Sequence, residues 1–270
     1  MISTTRNARQ SVFCLSALAC LIGLSQQSQG AAVWSLGHGD IGVAYVSGTT
    51  FEMELHVGQG ATVNGVLVTS TTGEVYEPAD ATIRVPNSAN LKAIQSGSTA
   101  VWAGDTAGYN FIATGSSLGV AQGGDLWVLS FNEFDADTYG TPFVGWATEE
   151  GFAGNAFGDV FFTPFSFSSP TGGNFGVFTD NLSPLWLVNH GDTTFTGDEF
   201  SVPADNHTHK VLAFTQPGIY QIGIRATSLL NGETTVVGEG VYTFQVVPEP
   251  SSIALAGLDR KSTRLNSSHT

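Results

Sequence analysis

Phe51-Glu52-Met53-Glu54-Leu55-His56-Val57 places an apolar side chain at every second position. Side chains alternate between faces along a strand, so this stretch predicts a half-buried β-strand. Ile219-Tyr220-Gln221-Ile222-Gly223-Ile224-Arg225 and Val241-Tyr242-Thr243-Phe244-Gln245-Val246 carry the same alternation. Leu126-Trp127-Val128-Leu129-Ser130-Phe131 is apolar almost throughout and predicts a strand covered more completely. Gly, Asn, Asp and Pro clusters separate these runs, as turns require. Ser88–Gln95 is the one stretch suited to a short helix. The expected class is all-β: a single antiparallel β-sandwich with long loops over residues 31–246, with a barrel as the alternative. Gly151–Gly173, rich in Phe and Gly, is expected to be a loop-rich insertion.

The composition agrees. Charged residues make up 12% of the 270, and the chain has 33 Gly and 18 Phe, a profile of strands and turns rather than of charged helix surfaces. The formal net charge is -14. Of nine Lys and Arg, Arg6 and Arg9 stand near the start and Arg260, Lys261 and Arg264 near the end, leaving Arg84, Lys92, Lys210 and Arg225 between them. So few cations cannot neutralise a run of phosphates, which excludes nucleic acid as a partner. An anionic lipid surface is equally unsuited, whereas cations are attracted.

Both ends carry processing signals. Arg6 and Arg9 precede the apolar run Ser11–Leu24, which is too short to span a bilayer, and Ser28-Gln29-Gly30 offers small residues before Ala31. Residues 1–30 therefore predict a signal peptide cleaved by signal peptidase, so the body of the chain is exported. Cys14 and Cys20, the two cysteines, both lie in it, which leaves the mature chain without disulfides, thiolate metal ligands or cysteine nucleophiles.

At the other end, Val247-Pro248-Glu249-Pro250 precedes the apolar run Ile253–Leu258. Residues 247–258 closely resemble the PEP-CTERM sorting signal of Gram-negative bacteria. That resemblance implies processing by an exosortase and transient anchoring by a C-terminal helix. The apolar run here is far shorter than the ~20 residues of a membrane span. Residues 259–270 read as an in-frame translation of a sequencing adapter. The expectation is a truncated sorting segment whose anchor helix is missing from this chain.

Three further blocks are similar to the choice-of-anchor M domain, a bacterial surface module. They are Gly37–Val43 with Phe51–His56; Leu118–Gly151, with its Trp-Val-Leu and Gly-Trp-Ala-Thr-Glu stretches; and Asp205–Leu230, where His207-Thr208-His209 precedes Phe214-Thr215-Gln216-Pro217-Gly218-Ile219-Tyr220. The resemblance runs from about residue 33 to 246. The family usually has Asn-Trp shortly after its His-x-His, where this chain has Val211 and Leu212. Some members look linked to zinc-responsive regulation or metal-transport loci, which implies a metal-related role.

The histidines supply the candidate site. Residues two apart on a strand share a face, so His207 and His209 offer two imidazoles side by side, and His38 and Asp40 share the same spacing. His56 lies on the strand expected to pair with theirs. Imidazoles with a carboxylate suit Zn²⁺, and less specifically Cu, Ni or Mn. The expected metal ligands are His38, Asp40, His56, His207 and His209, with His190 in support. The competing reading is local hydrogen bonding, since Asp205-Asn206-His207-Thr208 is turn-like.

Asp135-Ala136-Asp137-Thr138-Tyr139-Gly140 offers a weaker calcium-loop candidate through Asp135, Asp137 and Glu133; it departs from the EF-hand pattern at Tyr139 and Trp146. Gly115-Ser116-Ser117-Leu118-Gly119 matches a serine-hydrolase string, but the glycines after it oppose the helix that motif needs. Glu149 and Glu150 are adjacent, so on a strand they face apart and form no acid/base dyad. The five tryptophans could stack on sugars or fill a core. The expected function is a non-enzymatic, surface-sorted protein with a zinc site. The alternatives are a module binding extracellular or envelope polysaccharide and a metallo-hydrolase.

Overall fold

The computed structural model describes residues 31–90, 117–121 and 124–248. The expected signal peptide (residues 1–30), Lys92, Trp102, Gly115, Ser116, Glu249, Pro250, residues 251–270 and most of the expected helix Ser88–Gln95 lie outside the described residues. Before that gap, Asn87–Ala89 forms a short 3-10 turn.

The all-β class holds. The strands are β1 (Ala32–Ser47), β2 (Thr50–Val57), β3 (Thr62–Val63), β4 (Val66–Leu67), β5 (Glu74–Tyr76), β6 (Ala81–Val85), β7 (Trp127–Leu129), β8 (Pro142–Thr148), β9 (Val160–Ser168), β10 (Phe175–Phe178), β11 (Pro184–Val188), β12 (Phe200–Val202), β13 (His207–His209), β14 (Val211–Phe214), β15 (Gly218–Leu230) and β16 (Thr234–Val246). A twelve-stranded sheet runs β12-β9-β15-β16-β2-β1-β3-β4, with β5, β6, β8 and β13 joined off that path. A four-stranded sheet runs β11-β10-β14-β7.

The small sheet contributes one face to each of two apolar clusters. Trp127, Leu129, Phe175, Val177, Leu212 and Phe214 join the main core, which also holds Ile41, Leu55, Trp146 and Ile222 of the large sheet. Their neighbours Val128, Phe178, Val211 and Ala213 point the other way, into a smaller cluster with Leu118 and Leu182. Both faces of β7 are thus covered, which explains its unbroken apolar sequence. Phe51, Met53, Leu55 and Val57 of β2 are buried, as their alternation predicts, while Glu54 and His56 lie half-buried on the opposite face.

The wholly antiparallel expectation is corrected. β1 runs parallel to β6, Ala32–Trp34 against Ala81–Ile83, and parallel to β8, Gly37–Val43 against Pro142–Thr148. β6 also lies parallel to β16. Parallel neighbours require a long crossover rather than a tight turn, so nothing local in the sequence announces them.

Two other expectations change. Gly151–Gly173 is not merely a loop: it contains β9, hydrogen-bonded between β12 and β15, with Pro164 opposite Ile224 at a register shift where its missing N–H is tolerated. The calcium-loop candidate Glu133, Asp135 and Asp137 lies in helix α1 (Glu133–Tyr139). Asn132 caps that helix by accepting the Phe134 N–H at 2.9 Å, and Gly140 ends it in the left-handed conformation at φ 62. Residues two apart on a helix face nearly opposite ways, so Asp135 is buried while Asp137 is exposed, and they cannot share an ion.

Candidate metal centre

Four neighbouring strands, β2, β1, β8 and β13, build the site on the face that points away from the main core. Their register aligns its residues in rows. In one row His56 on β2 stands opposite Asp40 on β1, Asp40 opposite Gly145 on β8, and Gly145 opposite His209 on β13. In the next row the order is Glu54, Gly42, Ala147, His207. His38 stands opposite Phe143 one row the other way. Directly paired residues share a face, so His38, Asp40, Glu54, His56, His207 and His209 all project on the same side.

Two glycines make room between them. A Cβ added to Gly145 would overlap Asp40 Oδ1 and lie 3.0 Å from His209 Cε1. A Cβ on Gly42 would lie 2.9 Å from Glu149 Cγ and 3.0 Å from Glu54 Cγ. Long side chains from the outer strands therefore lean over bare backbone in the middle of the patch.

They gather into two groups. His38, His207 and His209 bring one ring nitrogen each to within 4.8 Å of one another, and so do His56, Glu54 and Glu149 with one ligand atom each. This corrects the single cluster expected from sequence: His56 belongs to the second group. With strands about 4.8 Å apart, β2 and β13 lie about 14 Å apart across three spacings, too far for His56 and His209 to meet at one ion.

In the first group His209 stacks on Phe143, with ring centres 3.9 Å apart and planes 10° from parallel. Its Nδ1 lies 3.2 Å from the Val144 carbonyl. Donation there fixes the tautomer with the Nε2 lone pair free for a metal. Burial, chiefly, pushes the His209 pKa down to about 4, so the ring is neutral near pH 7. β13 itself is held by Thr148, whose Oγ1 donates toward the Asn206 carbonyl at 3.0 Å and accepts the Asn206 N–H at 2.8 Å.

In the second group His56 Nε2 donates to the Thr72 carbonyl at 2.8 Å, and Nδ1 faces Glu149 Oε2 at 3.3 Å. The hydrogen bond to Glu149, outweighing burial, raises the His56 pKa to about 9. Burial, followed by the neighbouring Glu149 charge, raises Glu54 to about 7. Asp40 stands between the groups, only 8% exposed, and its Oδ1 makes no hydrogen bond; His38 Nε2 lies 3.6 Å from it. Burial pushes its pKa up. A cavity of about 300 Å³ touches both groups, with His38, Asp40, His56 and Glu149 in its wall.

His190 is placed elsewhere, with Nδ1 2.9 Å from Ser169 Oγ and its backbone N–H on Asn174 Oδ1, and belongs to neither group. Glu54 and Glu149 were not expected as ligands. Glu54 was legible, being two residues from His56 on an alternating strand; Glu149 depends on the β1–β8 register and was not. Trp34, Trp127, Trp146 and Trp186 are all buried, so none of these four offers a sugar-stacking surface. A larger cavity of about 610 Å³ has Asp125 as its one ionisable lining side chain among the described residues.

The fold and the site define a β-rich chain with preassembled nitrogen and oxygen donors. No protein-family model and no curated protein matches the chain.

Proposed function

We propose that the chain is an exported, surface-sorted protein without catalytic activity that binds zinc or a similar divalent transition metal. His38, His207 and His209 are the ligands, with Asp40 beside them. The observation that carries the metal assignment is the convergence of three imidazoles from β1 and β13 within 4.8 Å. A neutral, carbonyl-oriented His209 is already in its ligating form. A donor set of imidazoles and a carboxylate without thiolates suits Zn²⁺, Cu²⁺ or Ni²⁺.

Export and sorting rest on the leader-like residues 1–30 and on the resemblance of Val247–Leu258 to a PEP-CTERM signal, with signal peptidase and an exosortase as partners. The end of β16 is compatible with this: Val247 still donates to the Val85 carbonyl at 2.9 Å, and Pro248 is exposed beyond it. The resemblance to the choice-of-anchor M domain supports a surface role on the same terms.

Metal analysis of the purified full chain tests the reading. Bound or titratable Zn²⁺ is expected, and its loss in His207→Ala/His209→Ala. A chain that takes up no Zn²⁺ would overturn it. One observation favours a second reading, a metallo-hydrolase: the cavity beside His38 and Asp40 also exposes Glu149, a carboxylate able to act as a base toward a bound water. Chelator-sensitive hydrolysis of model esters would replace the non-enzymatic reading with this one.

A further inference from the structure

The geometry points to a second divalent-cation position formed by Glu54, His56 and Glu149, joined to the histidine site by a bridging Asp40 carboxylate, so that the face is a two-metal centre. The bridge rests on the histidine site proposed above; the second position does not.

Several independent observations meet here. The three side chains come from β2 and from the residue after β8, yet their ligand atoms lie within 4.8 Å of one another. His56 is aimed rather than merely nearby. Its Nε2 is engaged by the Thr72 carbonyl at 2.8 Å, and a Cβ on Gly73 would come within 2.7 Å of that nitrogen, so the loop holds the ring with Nδ1 toward Glu149. Gly42 supplies the pit in which the two glutamate stems approach each other.

A bound cation would take the place of the proton that His56 shares with Glu149. Among the described residues, the basic partners of Asp40 and Glu149 are imidazoles; Arg225 pairs with Glu239 at 2.7 Å, and Lys210 Nζ donates to Thr208 Oγ1 at 3.1 Å. Burying carboxylates this close together is unfavourable unless a positive charge offsets them. Asp40 completes the case. It is 8% exposed, its Oδ1 makes no hydrogen bond, it stands opposite His56 in register, and it contacts His38 at 3.6 Å. The 300 Å³ cavity that it lines reaches both groups. One imidazole with two carboxylates is a harder donor set than three imidazoles, so the second position suits Mn²⁺ as well as Zn²⁺.

Titration of the full chain with Zn²⁺ under native mass spectrometry tests this. Two equivalents are expected. Glu54→Gln/Glu149→Gln should retain one, His207→Ala/His209→Ala should retain the other, and Asp40→Asn should weaken both more than tenfold. Circular dichroism checks that each variant keeps its sheets. If the glutamine double variant loses them, Glu149→Asp takes its place and must still weaken one equivalent. A native chain binding one equivalent, lost in His207→Ala/His209→Ala but kept in Glu54→Gln/Glu149→Gln, overturns the second position and leaves the histidine site standing. No binding overturns both, and an Asp40→Asn variant weakened at one position only overturns the bridge.

Discussion

The carboxylate of Asp40 fills the space that a side chain on Gly145 would need. Asp40 and Gly145 are register partners on parallel strands, and an added Cβ would overlap Asp40 Oδ1 while lying 3.0 Å from His209 Cε1. Gly145→Ala must therefore displace Asp40, His209 or both. It is expected to cost about 1–3 kcal/mol of stability through overpacking and to weaken Zn²⁺ binding more than tenfold. Thermal melts and Zn²⁺ titration check the two effects; an alanine variant with native affinity would show that the crowding is relieved without cost.

Phe143 positions His209 without touching a metal, since the two rings stack at 3.9 Å. Phe143→Ala is expected to leave the number of bound ions unchanged and to lower Zn²⁺ affinity about tenfold, in the range found for supporting residues around metal sites. Phe143→Leu, which keeps bulk without a flat ring, should recover only part. Isothermal titration separates affinity from stoichiometry.

The metal-free protein should lose stability as pH rises above about 6.5. His56 has a folded pKa raised from 6.5 to about 9, so its contribution is complete below 6.5 and is lost as pH passes through about 9. Glu54, raised from 4.5 to about 7, favours the folded state less and less as pH rises over that interval. His209, lowered from 6.5 to about 4, contributes above 6.5 and loses its contribution as pH falls to 4. Between 4.5 and 6.5 the Glu54 and His209 slopes oppose each other, which predicts a plateau. Above it the decline should reach about 2 kcal/mol by pH 9, after allowing for solvent screening at the half-buried His56. Urea melts of chelator-treated protein measure this. His56→Ala should flatten the alkaline limb, and saturating Zn²⁺ should stabilise the native chain across the range.

The segment that resembled a calcium loop is a capped helix, and it should behave as one. Asn132→Ala removes the acceptor of the Phe134 N–H and is expected to cost about 1 kcal/mol. Asp137→Asn, at an exposed position, should leave stability within about 0.5 kcal/mol. Calcium should not distinguish Asp137→Asn from the native chain in a thermal melt; a calcium-dependent shift confined to the native chain would restore the loop reading.

Much of the site was legible within single strands. Glu54 and His56, His38 and Asp40, and His207 and His209 each share a face because side chains repeat every two residues, and the structure keeps every one of these pairs together. The assignment of His56 to the same ion as the other histidines failed because strand order, not strand periodicity, sets the distance from β2 to β13. Glu149 was passed over for a sound local reason, its opposition to Glu150, although its real partner lies across the sheet on His56. Asp135 and Asp137 misled because a short helix with Asn132 and Gly140 at its ends changes which residues share a side.

The sequence by itself determined the β class, the faces of the principal strands and the pairs of candidate donor side chains that share a face, because these follow from stereochemistry between near neighbours along the chain. Only the tertiary structure decided that β8 lies parallel beside β1 and that β13 closes the row, bringing Gly145 beneath Asp40 and dividing the donors into two groups. Strand adjacency is fixed by how distant segments bury their apolar faces together, and that choice leaves no periodic trace in any one of them.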